Sequence, residues 1–127
     1  MTPTAQKWAE KSKYDMETAR AMLASERYLY VLFCCQQALE KALKAVIVEQ
    51  TSELPPRIHN LLRLAEEAKL ELASDVSDFL GDVSGYYIQT RYPEEMESMA
   101  AEVEQEMAEE ALRRSEELTK WLFSMLK

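Results

Sequence analysis

This sequence predicts an all-α fold, and three observations carry the prediction. Its 127 residues include only two glycines and four prolines, whereas a sandwich or barrel needs turn residues about every 8–12 positions. All six stand at Pro3, Pro55, Pro56, Gly81, Gly85 and Pro93, leaving the tracts 4–54, 57–80 and 94–127 without either residue. Within those tracts apolar residues recur at spacings of three and four, the period of a half-buried helix. A chain of this length is expected to form one domain over residues 1–127.

The first helix is expected from Ala5 to Ser25, with Trp8, Ser12, Asp15, Ala19, Met22 and Leu23 inward and Lys7, Glu10, Lys11 and Glu17 on other sides. A short break near Ser25–Arg27 suits antiparallel neighbours. The second helix, Tyr28 to Gln50, opens on Tyr-Leu-Tyr-Val-Leu-Phe-Cys-Cys, which composition alone would allow as a strand. Its continuation without a turn signal into Gln-Gln-Ala-Leu-Glu-Lys-Ala-Leu-Lys-Ala decides for helix, since these are strong helix formers. Apolar residues surround most of it, which makes it central.

Thr51–Pro56 reads as a linker that Pro55-Pro56 keeps out of any helix. A third helix is expected over Arg57–Leu70, with Ile58, Leu61, Leu62, Leu64 and Ala65 as its apolar side and His59 in its first turn. A fourth covers Ser74–Tyr87 behind a Ser or Asp cap. Its Gly81-x-x-x-Gly85 spacing permits close helix approach but is a weak signal outside a membrane. Tyr92-Pro93 leads into a loop, because a residue before proline avoids the helical region. Glu94–Ala101 is expected to be a mobile acidic connection. The last helix is expected over Glu102–Leu126, with Val103, Met107, Ala111, Leu118, Leu122 and Met125 inward.

Composition also excludes chemistry. The net charge of −8 argues against non-specific duplex binding through phosphate neutralisation. That charge is unevenly spread: residues 1–63 hold nine Lys/Arg against seven Asp/Glu, residues 64–127 six against sixteen. Such asymmetry suits a local electropositive surface or a self-complementary oligomer, and a homodimer is expected. Cys34 and Cys35 are adjacent in the most apolar run, so they read as buried small hydrophobes in a reducing compartment. The longest uncharged run, Tyr28–Leu39, falls short of the roughly 20 residues of a membrane span. With no apolar leader at the start, a cytoplasmic protein is expected. One histidine cannot supply the paired Glu-x-x-His of a two-metal bundle. Nor can a zinc site of ordinary composition be built, and no Gly-rich phosphate loop is present, so no metal or cofactor is implied.

What remains is a set of polar groups in apolar surroundings. Gln37, Glu40, Lys41 and Lys44 share one stripe of the second helix at i, i+3, i+4 and i+7, inside an arc of about 100°. Two explanations stay open: a solvent-facing stripe tied by the Glu40–Lys44 pair, or the polar wall of a cleft. His59, Arg91 and the tyrosines 86, 87 and 92 complete the candidates. Lys44 and Arg91 would offer positive charge to a phosphate, one as a point and one as a fork.

These residues resemble a family. Gln36-Gln37-Ala38-Leu39-Glu40-Lys41-Ala42-Leu43-Lys44-Ala45 is similar to the core signature of HEPN domains (higher eukaryotes and prokaryotes nucleotide-binding). Pro56-Arg57-Ile58-His59-Asn60-Leu61 and Tyr87-Ile88-Gln89-Thr90-Arg91-Tyr92-Pro93 continue the resemblance in order, and Trp8, Tyr14-Asp15-Met16 and Ala19-Arg20 extend it to the first helix. The resemblance implies an up-and-down bundle of four to five helices that usually dimerises, in a cytoplasmic protein commonly paired with a minimal nucleotidyltransferase as a two-component or toxin–antitoxin system. Gln37, Glu40, Lys41, Lys44, His59, Tyr87, Arg91 and Tyr92 would then line a groove for a nucleotide or a substrate segment. Family nucleases resemble one another in an Arg-x4–6-His motif, and this chain departs from it. Arg57 stands two positions before His59, and Arg27 is far outside the spacing. No catalytic residue is therefore assigned. The alternatives are an RNA-cleaving toxin using His59 at a non-standard site, and a purely structural dimerisation module.

Overall fold

The computed structural model describes residues 2–89 and 92–127, apart from the side chains of Ile88 and Gln89. Among the described residues there are six helices and no strand, so the all-α expectation holds with more helices than the four to five read from the sequence. None is long and apolar enough to cross a membrane.

Helix α1 spans Pro3–Ala24, earlier than Ala5 because Thr2 accepts from the Ala5 amide and Pro3 takes the first helical position. Its inner face is Ala5, Ala9, Ser12, Met16 and Ala19, and the Ser12 hydroxyl donates to the Ala38 carbonyl at 2.6 Å. Trp8 and Asp15 sit beside that face rather than within it. Helix α2, Tyr28–Thr51, is the central element, and every residue from Ala42 to Val48 is buried. Helix α1 runs along it, and α2 also carries the packing of the later helices. The Gln37–Lys44 stripe is not the solvent-facing strip that one explanation required, because Glu40 and Lys44 are buried while Gln37 and Lys41 stand at the edge.

The third helix corrects the expectation most. Helix α3 is only Leu61–Glu67, and residues 57–60 are not helical. Asn60 is its cap, accepting from the amides of Leu62 and Arg63. His59 therefore lies just before the helix rather than in its first turn. Ala68 ends α3, and Lys69 follows at φ 58°, a left-handed stop without glycine. Helix α4 is Ser74–Gln89, and its Ser84 hydroxyl accepts from the Leu61 amide at 3.0 Å. Gly81 does not mark a forced close approach: an added Cβ would meet Leu62 at an ordinary 3.5 Å, and one at Gly85 would meet nothing within 4 Å.

The acidic connection after Pro93 is a helix instead, α5 over Pro93–Glu102. Pro93 at its first position with Glu94 and Glu95 in the first turn is a helix start, and those carboxylates suit its positive end. Buried Val103 ends it in extended backbone, so α6 begins at Gln105 and runs to Phe123. Its buried line is Ala108, Ala111, Leu112, Ser115, Thr119 and Leu122. Met107, expected inward, is instead exposed. Glu49 on α2 draws the chain's two ends together, accepting from the Thr2 amide at 3.2 Å and the Lys127 amide at 2.7 Å.

Leu39 and Leu43, at 0% and 1% exposure, lie in the main core with Leu61, Leu64, Leu80 and Val83. Leu43→Ala is expected to cost about 2–5 kcal/mol, from lost transfer energy and the cavity left behind. Urea unfolding checks it, and a smaller loss with the fold intact would place α2 at the periphery.

Candidate functional site

The site is built on the middle of α2. Glu40 and Lys44 are one turn apart, and their side chains approach at 3.0 Å with only 4% and 7% of each exposed. The indole of Trp8, from α1, lies 5.5 Å under the Lys44 ammonium and closes that side. On the other side the Glu40 carboxylate meets His59, whose Nδ1 lies 3.2 and 3.1 Å from its two oxygens. Gln36 reinforces the arrangement. Its Nε2 donates to the His59 carbonyl at 2.8 Å and to Glu40 at 3.3 Å.

This network reaches the surface at His59, whose side chain is 51% exposed. Nδ1 is the ring nitrogen that faces the Glu40 carboxylate, and Nε2 points away from it. Aromatic rings continue outward from the imidazole. Tyr87 of α4 is tilted against it at 5.8 Å between centroids, Phe33 of α2 stacks on Tyr87 at 5.6 Å, and Tyr30 meets Phe33 edge-on at 6.4 Å.

Of the residues expected to line a groove, Lys44, Glu40, His59 and Tyr87 form one succession of contacts. Gln37 and Lys41 form a neighbouring pair at 2.8 Å, and Lys41 also approaches Asp15 of α1 at 3.7 Å. Tyr92 is exposed at the start of α5, and Arg91 lies outside the described residues. Gln36, Trp8 and Phe33 were missed as site residues. Gln36 carried a signal, a polar side chain at an otherwise apolar position. The two aromatic residues carried none that separates them from core.

A family model described as HEPN domain matches residues 5–125. The chain belongs to the HEPN domain family. Among solved structures, TT1696 from Thermus thermophilus is similar, at 24% identity and a TM-score of 0.82, covering 98% of this chain and 100% of that one. That likeness shows the fold. No curated protein matches. Membership supports a nucleotide-binding or RNA-related role in general terms.

Two consequences can be measured on this HEPN chain. Lys44→Met would strand a buried carboxylate and is expected to cost about 3–5 kcal/mol of unfolding free energy, of which Glu40→Gln in the same chain restores a part. Chemical denaturation of the single and double variants checks it. Burial, then the Asp15 charge, pushes the Cys34 thiol up to about 11, and burial pushes Cys35 up to about 12. Both thiols should stay unreactive toward a disulfide reagent at pH 8 until the protein is unfolded. Because these pKa values are raised on folding, their contribution to stability is full below about pH 8.5, the ordinary thiol value, and is lost as pH rises through 11–12.

Proposed function

We propose that this HEPN chain binds a nucleotide, or the nucleotide-bearing segment of a substrate, as the homodimeric partner of a minimal nucleotidyltransferase. One observation carries the reading: a half-exposed imidazole, fixed through Nδ1 on a buried carboxylate, heads a row of aromatic rings on the protein surface. Unpaired bases stack on such rings, each contact being worth about 1–3 kcal/mol with little regard to sequence. His59 Nε2 is then the hydrogen-bonding group beside the stacked base, and Arg91 supplies the fork for phosphate. Lys44 takes a different part from the one its charge suggested. Held against Glu40 and Trp8, its ammonium neutralises the carboxylate that orients His59.

A carboxylate-held histidine is also the form of a general acid/base. An RNA-cleaving reading therefore stands second, and an RNA-cleavage rate unaffected by His59→Ala removes it. The departure from the Arg-x4–6-His motif favours the binding reading.

ATP titration tests the first reading by calorimetry. His59→Ala, Tyr87→Ala and Arg91→Ala are each expected to weaken binding more than tenfold, and His59→Ala, which removes a partner of buried Glu40, also to lower the melting temperature. Co-expression with a minimal nucleotidyltransferase should yield a complex containing two copies of this chain by light scattering. Unchanged ATP affinity in all three variants would overturn the binding site, and a lone 14.7 kDa species at micromolar concentration would overturn the homodimer.

A further inference from the structure

A second surface lies between α4 and α6. Both helices rest on α2, and they meet through long side chains: Arg114 of α6 donates to the Asp75 carbonyl of α4 at 3.0 Å, and the Tyr86 hydroxyl lies 3.9 Å from the Met107 sulfur. The gap between them is a slot of about 150 Å³ whose floor and walls include Leu32, Phe79, Val83 and Ala111. Beside it runs a wider groove of about 460 Å³ along Gly81, Gly85 and Glu102. Tyr86 and Met107 border both, and Met107 is among the exposed large apolar side chains. At Gly85 the wall is bare backbone with open space above it.

The rim is acidic and largely uncompensated. Asp82 and Glu102 face the groove, and neither has a cation within ion-pair distance among the described residues. Glu110, by contrast, is held by Arg113, and Arg114 is spread over the Phe79 ring at 4.4 Å, so those charges are spoken for. The Tyr86 phenol reports the same field: burial, then Glu102 and Asp82, raise its pKa.

We propose that this groove docks a cationic amphipathic helix of a polypeptide partner. An aliphatic side chain enters the slot over Leu32, the helix backbone runs past the bare Gly81–Gly85 face, and Lys or Arg side chains reach Asp82 and Glu102. This is helix-in-groove recognition, with charges of opposite sign guiding approach and setting orientation. The choice of a basic occupant follows from the rim: an acidic helix would meet two uncompensated carboxylates, and an uncharged one would leave them facing an apolar surface.

The full chain, labelled with nitrogen-15, would be titrated with a synthetic 14-residue Leu/Lys peptide whose leucines follow helical spacing, and with a scrambled peptide of the same composition. Amide shifts concentrated on α4, the start of α6 and Leu32 are expected for the first peptide, with at least tenfold weaker binding of the second. Asp82→Lys with Glu102→Lys should weaken binding at least tenfold and reduce its salt dependence. Gly85→Leu, whose Cβ would meet nothing within 4 Å, puts a side chain into the groove and should abolish binding while the melting temperature is kept or raised. Equal binding of the scrambled peptide, or shifts elsewhere on the acidic surface, would overturn the proposal. So would a dimer of this chain that Gly85→Leu dissociates, since a second copy would then occupy the groove.

Discussion

Glu40 is the constraint around which this bundle is arranged. A carboxylate in the middle of the most buried helix is tolerated only where opposite charge and hydrogen bonds replace water. Three elements provide that replacement: Lys44 from the same helix, His59 from the segment before α3, and Gln36 one turn earlier. The requirement also explains why α3 starts late. Both the ring and the carbonyl of His59 turn toward α2, one to Glu40 and the other to Gln36. In a helix begun at Arg57, that carbonyl would point along the helix axis and accept from Arg63 instead. Here the Arg63 amide is satisfied by the Asn60 side chain.

The sequence was legible where periodicity and packing agree. Helix α2 was readable almost to the residue, because a helix buried on nearly every side leaves its few polar positions conspicuous. Helix α5 was readable in principle: Pro93 followed by Glu94 and Glu95 is a start signal that the surrounding acidic composition obscured. Other boundaries were hidden for a physical reason. The end of α3 was one, because Lys69 turns at a positive φ that ordinarily favours glycine; the breaks at Glu26 and Ser52 are left-handed too, yet they fall where the sequence put them. The break between α5 and α6 rests on Val103, an apolar residue in extended backbone that any helical pattern would absorb.

The site was half legible for a related reason. Spacing put Glu40 and Lys44 on one face, yet spacing cannot tell a polar face in water from one turned inward. That difference sets the chemistry. In water, Lys44 would be a ligand for phosphate; buried at 3.0 Å from Glu40 and over the Trp8 ring, it fixes a carboxylate and through it an imidazole. The aromatic row could not be read, because Phe33 and Tyr87 lie on separate helices and their spacing in the chain says nothing of their stacking.

The ring row and the acidic groove share helix α4. Phe33 belongs to the row and its neighbour Leu32 to the floor of the slot; Tyr87 belongs to the row and its neighbour Tyr86 to the groove wall. Successive residues of a helix point about 100° apart, so the row and the groove occupy different faces of α4, the first turned to α2 and the second to α6. The anchors of α2 and α4 differ, however. Helix α2 is fixed by burial on nearly all sides, whereas α4 packs on α2 and α3 and meets α6 through side chains, Arg114 reaching the Asp75 carbonyl and the Phe79 ring. The Tyr87 ring is carried by α4, while Glu40 and Gln36 hold His59 to α2. The contact between those two rings therefore joins two differently anchored elements, and the ring row depends on how α4 packs against α2.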